Sequence, residues 1–203
     1  MRILIASNNQ AKVERIRKLL TGTGVECLTP VDLDIKIVEI VEGSDIADNA
    51  QRKALTYRDL TDLPILANDT AFMIEGEVLD PAKVKRNALE GRDEAELTQP
   101  EIAEAILKFY CNLVQQRGKP IPCCWEDCYA LVLPDGTIRT EHGQRPVTLT
   151  DRLRGEVNPY FPLRSLYIVG PTGKYTCDQT EEDEALELSP LREALYQILK
   201  LAP

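Results

Sequence analysis

Apolar residues change spacing along this chain in a way that separates strands from helices. Ile3, Leu4, Ile5 and Ala6 run without interruption and read as a short strand buried on both faces. Ser7, Asn8 and Asn9 break the run with side chains that favour turns and caps. Val13, Ile16, Leu19 and Leu20 then recur at helical spacing, which predicts a helix from about residue 11. Gly22 and Gly24 mark a turn, and 25–29 suggests a second short strand. Residues 32–41 alternate apolar and acidic and read as an extended segment or loop. Ser44 or Asp45 is placed to cap a helix over 46–60, which Pro64 stops. A brief buried strand over 64–67 follows and ends in Asn68-Asp69-Thr70.

Residues 76–100 are polar and broken by Pro81 and Gly91, so they read as an excursion from the core. Ile102, Ile106, Phe109 and Leu113 form one stripe of a helix over 101–116, opened by Pro100. A strand over 125–133, a Pro134-Asp135-Gly136 turn and a partner over 137–142 make a hairpin. A further strand covers 166–169, and Gly170-Pro171-Thr172-Gly173 turns after it. The acidic run 181–184 reads as a solvated helix start, and a helix over 191–201 closes the chain. Strands and helices alternate early and a hairpin comes late, which predicts one α/β domain over 1–203 with a mixed sheet.

The chain's 203 residues are 43% hydrophobic and 28% charged, enough for one core. A net charge of -9 argues against general affinity for nucleic acid or an anionic membrane. The apolar run after Arg2 is too short for a signal peptide, and no stretch is long enough to span a bilayer, so a cytoplasmic location is expected. Cys123, Cys124 and Cys128 lack the paired spacing of a zinc site, and His142 is the only histidine. The six cysteines are therefore expected to be reduced thiols.

Three segments carry candidate chemistry. At Ser7-Asn8-Asn9 and Lys12, a strand ends just before a helix with an early lysine. Helix-start amides, the helix dipole and the ammonium all favour an anion there, ideally a phosphate; an ordinary capped helix with a surface lysine fits the same residues. Asp69, after a buried strand, is placed to hold Mg²⁺ or polarise a water while the Thr70 hydroxyl meets substrate, or simply to cap the next segment. Glu39, Glu42, Asp45 and Asp48 put four carboxylates at a helix entrance. They suit either helix capping or a Mg²⁺ that takes a few carboxylates plus phosphate oxygens. Lys53 lies two turns further on, facing the same site or solvent.

Taken together, these segments resemble the inosine triphosphate pyrophosphatases, which hydrolyse non-standard purine nucleoside triphosphates. Ser7, Asn9 and Lys12 match a [ST]-x-N-x-x-K turn after the first strand. Residues 43–54, Gly-Ser-Asp-Ile-Ala-Asp-Asn-Ala-Gln-Arg-Lys-Ala, resemble G-x-T-F-x-E-N-A-x-x-K-A, and Ala67-Asn68-Asp69-Thr70 resembles A-D-D-S-G. Gly173-Lys174 resembles G-K-T, and Ser189 with Ala194-Leu195 resembles S-x-x-x-x-A-L. The departures concentrate on base reading. Little of G-F-G-Y-D-P remains over 158–163, S-H-R-G becomes Ser189-Pro190-Leu191-Arg192, and Asn68 replaces the first acid of the pair.

The resemblance implies an elongated α/β fold, its long mixed sheet flanked by helices with a cleft between two lobes, in a homodimer. It implies Mg²⁺-dependent attack of water on a nucleoside triphosphate, releasing pyrophosphate and the monophosphate. Asp69 and Lys12 are then the catalytic candidates. Ser7, Asn8, Asn9, Lys12, Lys53, Thr70 and Lys174 are the substrate-binding ones, and Asp69, Glu42, Asp45 and Glu39 the metal ligands. Two alternatives stay open: a nucleotide-binding protein with reduced catalysis on the same scaffold, and a pyrophosphatase of altered base specificity.

Overall fold

The computed structural model describes residues 1–38 and 40–202. In chain order the elements are β1 (Arg2–Ile5), α1 (Gln10–Leu19), β2 (Glu26–Leu28), α2 (Ile46–Leu55), β3 (Ile65–Ile74), β4 (Glu77–Val78), α3 (Pro81–Leu89), α4 (Gln99–Arg117), β5 (Ile121–Val132), β6 (Ile138–Leu149), β7 (Tyr167–Val169), β8 (Lys174–Tyr175) and α5 (Glu181–Leu199). The sheet order is β2-β1-β3-β5-β6-β7-β8, with β4 paired to β3. β1 runs parallel to β2 and β3, whereas β4 on β3, β7 on β6 and β8 on β7 are antiparallel. The expected α/β class with a mixed, helix-flanked sheet is what forms.

The chain divides into two compact units. The first takes 1–71, 126–144 and 188–203, and the second takes 72–125 and 145–187. In the first unit, Ile3, Leu4 and Ile5 are wholly buried because β1 has neighbours on both sides and helices over both faces. Val13, Ile16 and Leu19 of α1 pack with Leu191, Leu195 and Ile198 of α5 on one face. Ala54 and Tyr57 cover the other face over Leu4, Ile65 and Ala67. Each buried Ile or Leu of that stripe contributes about 1.5–3 kcal/mol. In the second unit, Phe72, Tyr110, Val147, Leu149 and Tyr167 anchor a separate core.

Four expectations are corrected. β3 does not end at Ala67 but runs through Asn68, Asp69 and Thr70 to Ile74. These turn-forming side chains find partners on neighbouring elements, so the strand is not obliged to bend there. Nor is 76–100 an excursion: Asp80 caps α3, Pro81 opens it, and Val84, Ala88 and Leu89 are buried, the last two against Ile102 and Ala105 of α4. α2 stops at Leu55 rather than about residue 60, since the Thr56 hydroxyl donates to the Arg52 carbonyl and the chain tightens into a 3-10 turn over Arg58–Leu60.

α5 begins ten residues earlier than the apolar pattern suggests and passes through Pro190. Asp183 Oδ2 accepts from both the amide and hydroxyl of Thr180, while Thr180 Oγ1 accepts from the Asp183 amide, a reciprocal box that starts the helix in an acidic run. β6 approaches α5 closely at Gly143. A Cβ there would stand 2.9 Å from the Pro190 carbonyl oxygen.

Candidate active site

The turn after β1 is held at both ends. The Ala6 amide donates to Leu66 O, and Ser7 Oγ accepts from the Asn9 amide. Asn9 is the N-cap of α1, and its Oδ1 accepts from the Lys12 amide at 3.1 Å. One first-turn N–H is spent on the cap, while Ser7, Asn8, Asn9 and Lys12 still line a cavity of about 290 Å³. Ile37, Val38, Ile40, Glu42, Lys53 and Tyr57 help to close it. The Tyr57 hydroxyl accepts from the Val38 amide at 3.0 Å and so pins the segment that carries these apolar residues.

β3 turns its side chains alternately. Asp69 points toward α2, where Oδ2 accepts from Asn49 Nδ2 at 2.9 Å and Oδ1 from Lys53 Nζ at 2.8 Å. Lys53 also pairs with Glu42 Oε1 at 2.6 Å, so two carboxylates converge on one ammonium. Burial opposes the charge on Lys53, yet its bonds to Asp69 and Glu42 prevail and hold its pKa above the ordinary lysine value. Lys12 goes the other way. Burial and then the nearby charge of Lys53 lower its pKa, and Asp69 and Asp127 only partly offset them.

Asn68 and Thr70 face the opposite side of β3 and meet β5. Asp127 Oδ1 accepts from Thr70 Oγ1 at 2.7 Å, from Arg15 Nη2 at 2.7 Å and from Asn68 Nδ2 at 3.4 Å.

The structure thus gathers Ser7, Asn8, Asn9, Lys12, Glu42, Lys53 and Asp69 at one end of the first unit. The remaining candidates are engaged elsewhere. Asp45 Oδ1 caps α2 through the amides of Ala47 and Asp48. Lys174 lies in the second unit, paired with Asp183 at 2.6 Å. Arg192 donates to the hydroxyl of Tyr196 one turn on. Glu39 lies outside the described residues. Asn49, Arg15 and Asp127 are participants that the sequence reading did not single out. Asn49 stands in the Asp48-Asn49-Ala50 run, where a buried amide was the available signal. Asp127 gave another, an acid directly before the apolar alternation of Cys128, Ala130 and Val132.

A divalent metal fits this donor set. Asp69 and Glu42 already converge on one cation and offer the hard oxygens that Mg²⁺ takes beside substrate phosphates. No cluster of three or more His, Cys, Asp or Glu side chains suited to a metal occurs among the described residues. None of the six cysteines is disulfide-bonded.

A buried carboxylate braced by an amide and a lysine thus lies beside a helix-start turn with a second lysine, an arrangement whose charge and N–H groups favour an anion. Comparison with known proteins is consistent with this. A family model described as the Ham1 family matches residues 3–201, and the chain belongs to that family. The dITP/XTP pyrophosphatase of Frankia alni is 29% identical over 174 residues, covering 80% of each chain. The dITP/XTP pyrophosphatase of Thioalkalivibrio sulfidiphilus is 32% identical over 164 residues, covering 72% of this chain and 81% of that one. A HAM1 protein from Coxiella burnetii superposes with a TM-score of 0.73 at 16% identity, covering 98% of both chains. The nucleoside-triphosphatase / dITP/XTP pyrophosphatase from Mycobacterium abscessus gives 0.67 at 21% identity, covering 98% of this chain and 99% of that one. These two structures share the fold.

Proposed function

We propose that this chain hydrolyses non-standard purine nucleoside triphosphates to the monophosphate and pyrophosphate, with Mg²⁺ as the metal. As a member of the Ham1 family it is a nucleoside triphosphate pyrophosphatase. The observation that carries the assignment of roles is the convergence of Asp69, Glu42 and Lys53 beside the Ser7–Lys12 turn.

In this reading the Ser7–Asn9 turn and Lys12 hold the polyphosphate through the helix-start dipole and the ammonium. Asp69, fixed by Asn49, orients the attacking water and accepts its proton. Two lone-pair positions on its carboxylate remain beyond the bonds to Asn49 and Lys53. Lys53 places positive charge beside the developing negative charge. Asp69 and Glu42 would hold Mg²⁺, which when bound neutralises charge on the phosphate oxygens. Lys174, paired with Asp183 in the second unit, Asp45, spent on the α2 cap, and Thr70, bonded to Asp127, have no direct part in this reading. The same reading takes the enzyme to be a cytoplasmic homodimer, which light scattering on a sizing column checks.

A second reading, altered base choice, is favoured by Pro190-Leu191 and by the engagement of Arg192 with Tyr196. One assay separates the possibilities: pyrophosphate release from a panel of nucleoside triphosphates, with Mg²⁺ and with chelator. Turnover of dITP and XTP that chelator abolishes is expected. Preference for another base supports the second reading, and no release from any member sinks both. Asp69→Asn and Lys12→Ala are expected to abolish turnover in folded protein, and full activity in either removes that residue's role.

A further inference from the structure

Where the resembling family carries the first acid of its acidic pair, this chain has the amide Asn68. The carboxylate of Asp127, on the adjacent strand, lies beside that amide. Asp127 is fully buried, and its Oδ1 is 3.4 Å from Asn68 Nδ2. The same oxygen takes the Thr70 hydroxyl and the Arg15 guanidinium, both at 2.7 Å. Arg15 sits one turn after Lys12 on α1, and Asn68 and Thr70 flank Asp69 on β3. One buried oxygen therefore ties the helix that presents Lys12 to the strand that presents Asp69. Arg15 Nε is buried with no hydrogen-bond partner, so the guanidinium depends on its Nη2 bond to Asp127.

We propose that Asp127 is a positioning residue for the pyrophosphatase reaction. Its role is to fix Lys12 relative to Asp69 through Arg15, Asn68 and Thr70. A burial cost as large as that of a carboxylate is sustained here by three donors on one oxygen. Removing the charge leaves Arg15 less firmly held. Adding a second carboxylate at 68 sets two like charges against each other in a buried site.

The inference rests on the proposed hydrolytic function, and a set of three variants tests it: Asp127→Asn, Asn68→Asp, and the two together. Pyrophosphate release from dITP and XTP gives kcat and KM, and thermal unfolding is followed in parallel. Each single variant is expected to lose roughly 100-fold in kcat, as misplaced catalytic groups do, with a smaller change in KM. The double variant restores a carboxylate–amide pair with the charge exchanged, and is expected to recover most of that loss. Asp127→Asn with near wild-type kcat overturns the proposal. So does a double variant no faster than Asp127→Asn, or a loss that simply follows a lowered unfolding temperature. A wild-type protein that releases no pyrophosphate overturns the functional reading and this proposal with it; an active wild type without rescue overturns this proposal alone.

Discussion

Asn49 Nδ2 donates to Asp69 Oδ2 at 2.9 Å, with the two residues only 2% and 5% exposed. The same amide also donates to Gly43 O at 3.0 Å, and its Oδ1 accepts from the Gly43 amide at 2.7 Å. One side chain thus fastens the acidic segment, helix α2 and the carboxylate of β3 to one another. Asn49→Ala leaves Asp69 without this donor in a buried place and frees Gly43 from α2. A loss of about 1–3 kcal/mol in urea unfolding is expected, together with a fall in kcat as Asp69 gains freedom. Unchanged stability and turnover would show that the amide is dispensable.

Lys53 occupies the point where Glu42 and Asp69 converge, so a metal held by those carboxylates competes with its ammonium. In Lys53→Met the two carboxylates face each other with no cation between them. Turnover is expected to fall, while Mg²⁺ raises the unfolding temperature more than it does in the wild type, because binding to the folded state is no longer opposed. Differential scanning fluorimetry with and without Mg²⁺ reads this directly. An equal or smaller metal-induced shift in the variant removes Glu42 and Asp69 as the metal pair.

The charge of Lys12 is open to pH. Burial is the main cause of its lowered pKa, followed by the Lys53 charge. A lowered pKa means that the ammonium loses its proton before the ordinary lysine range is reached. Phosphate affinity should therefore be full at neutral pH and weaken as pH rises, seen as a climbing KM for the triphosphate. Lys12→Arg keeps its charge throughout, and its KM should stay flat over the same range, although the guanidinium fits the turn less well. A climbing KM that persists in the arginine variant assigns the effect to another group.

Much of this site is legible in the chain because local physics acts alone there. The continuous apolar run of β1, the Asn9 cap and the Asp45 cap each follow from residues within a few positions. What sequence misreads is wherever a distant partner overrules local preference. Asn68, Asp69 and Thr70 are turn formers by composition, yet they lie inside a ten-residue strand. Asn49, Lys53 and Asp127 satisfy them from α2 and β5. Asp127 is missed for the same reason: its donors Arg15, Asn68 and Thr70 come from α1 and β3, far away in the chain. The acidic start of α5 was legible as a helix start, but its continuity through Pro190 was not, because proline locally argues for a break.

Cys128, His142 and Glu126 line up as a thiol, an imidazole and a carboxylate, with Sγ to Nε2 at 3.5 Å and Nδ1 to Glu126 Oε1 at 2.9 Å. The geometry looks like that of an activated nucleophile, but the electrostatics oppose it. Burial, followed by the charge of Glu126 and other carboxylates, pushes the Cys128 thiol up to about 12. Burial likewise raises Cys123 to about 11. Near pH 8 a thiol of pKa about 12 is ionised to only about one part in ten thousand, and only the thiolate attacks. Ellman's reagent is therefore expected to label exposed Cys177 rapidly and to reach Cys123 and Cys128 only once denaturant is added. Cys177→Ser should abolish the rapid phase, and Cys128→Ala should keep pyrophosphate release near that of the wild type. Rapid labelling of Cys128 in folded protein, or a collapse of turnover in Cys128→Ala without loss of stability, would instead make this thiol part of the chemistry.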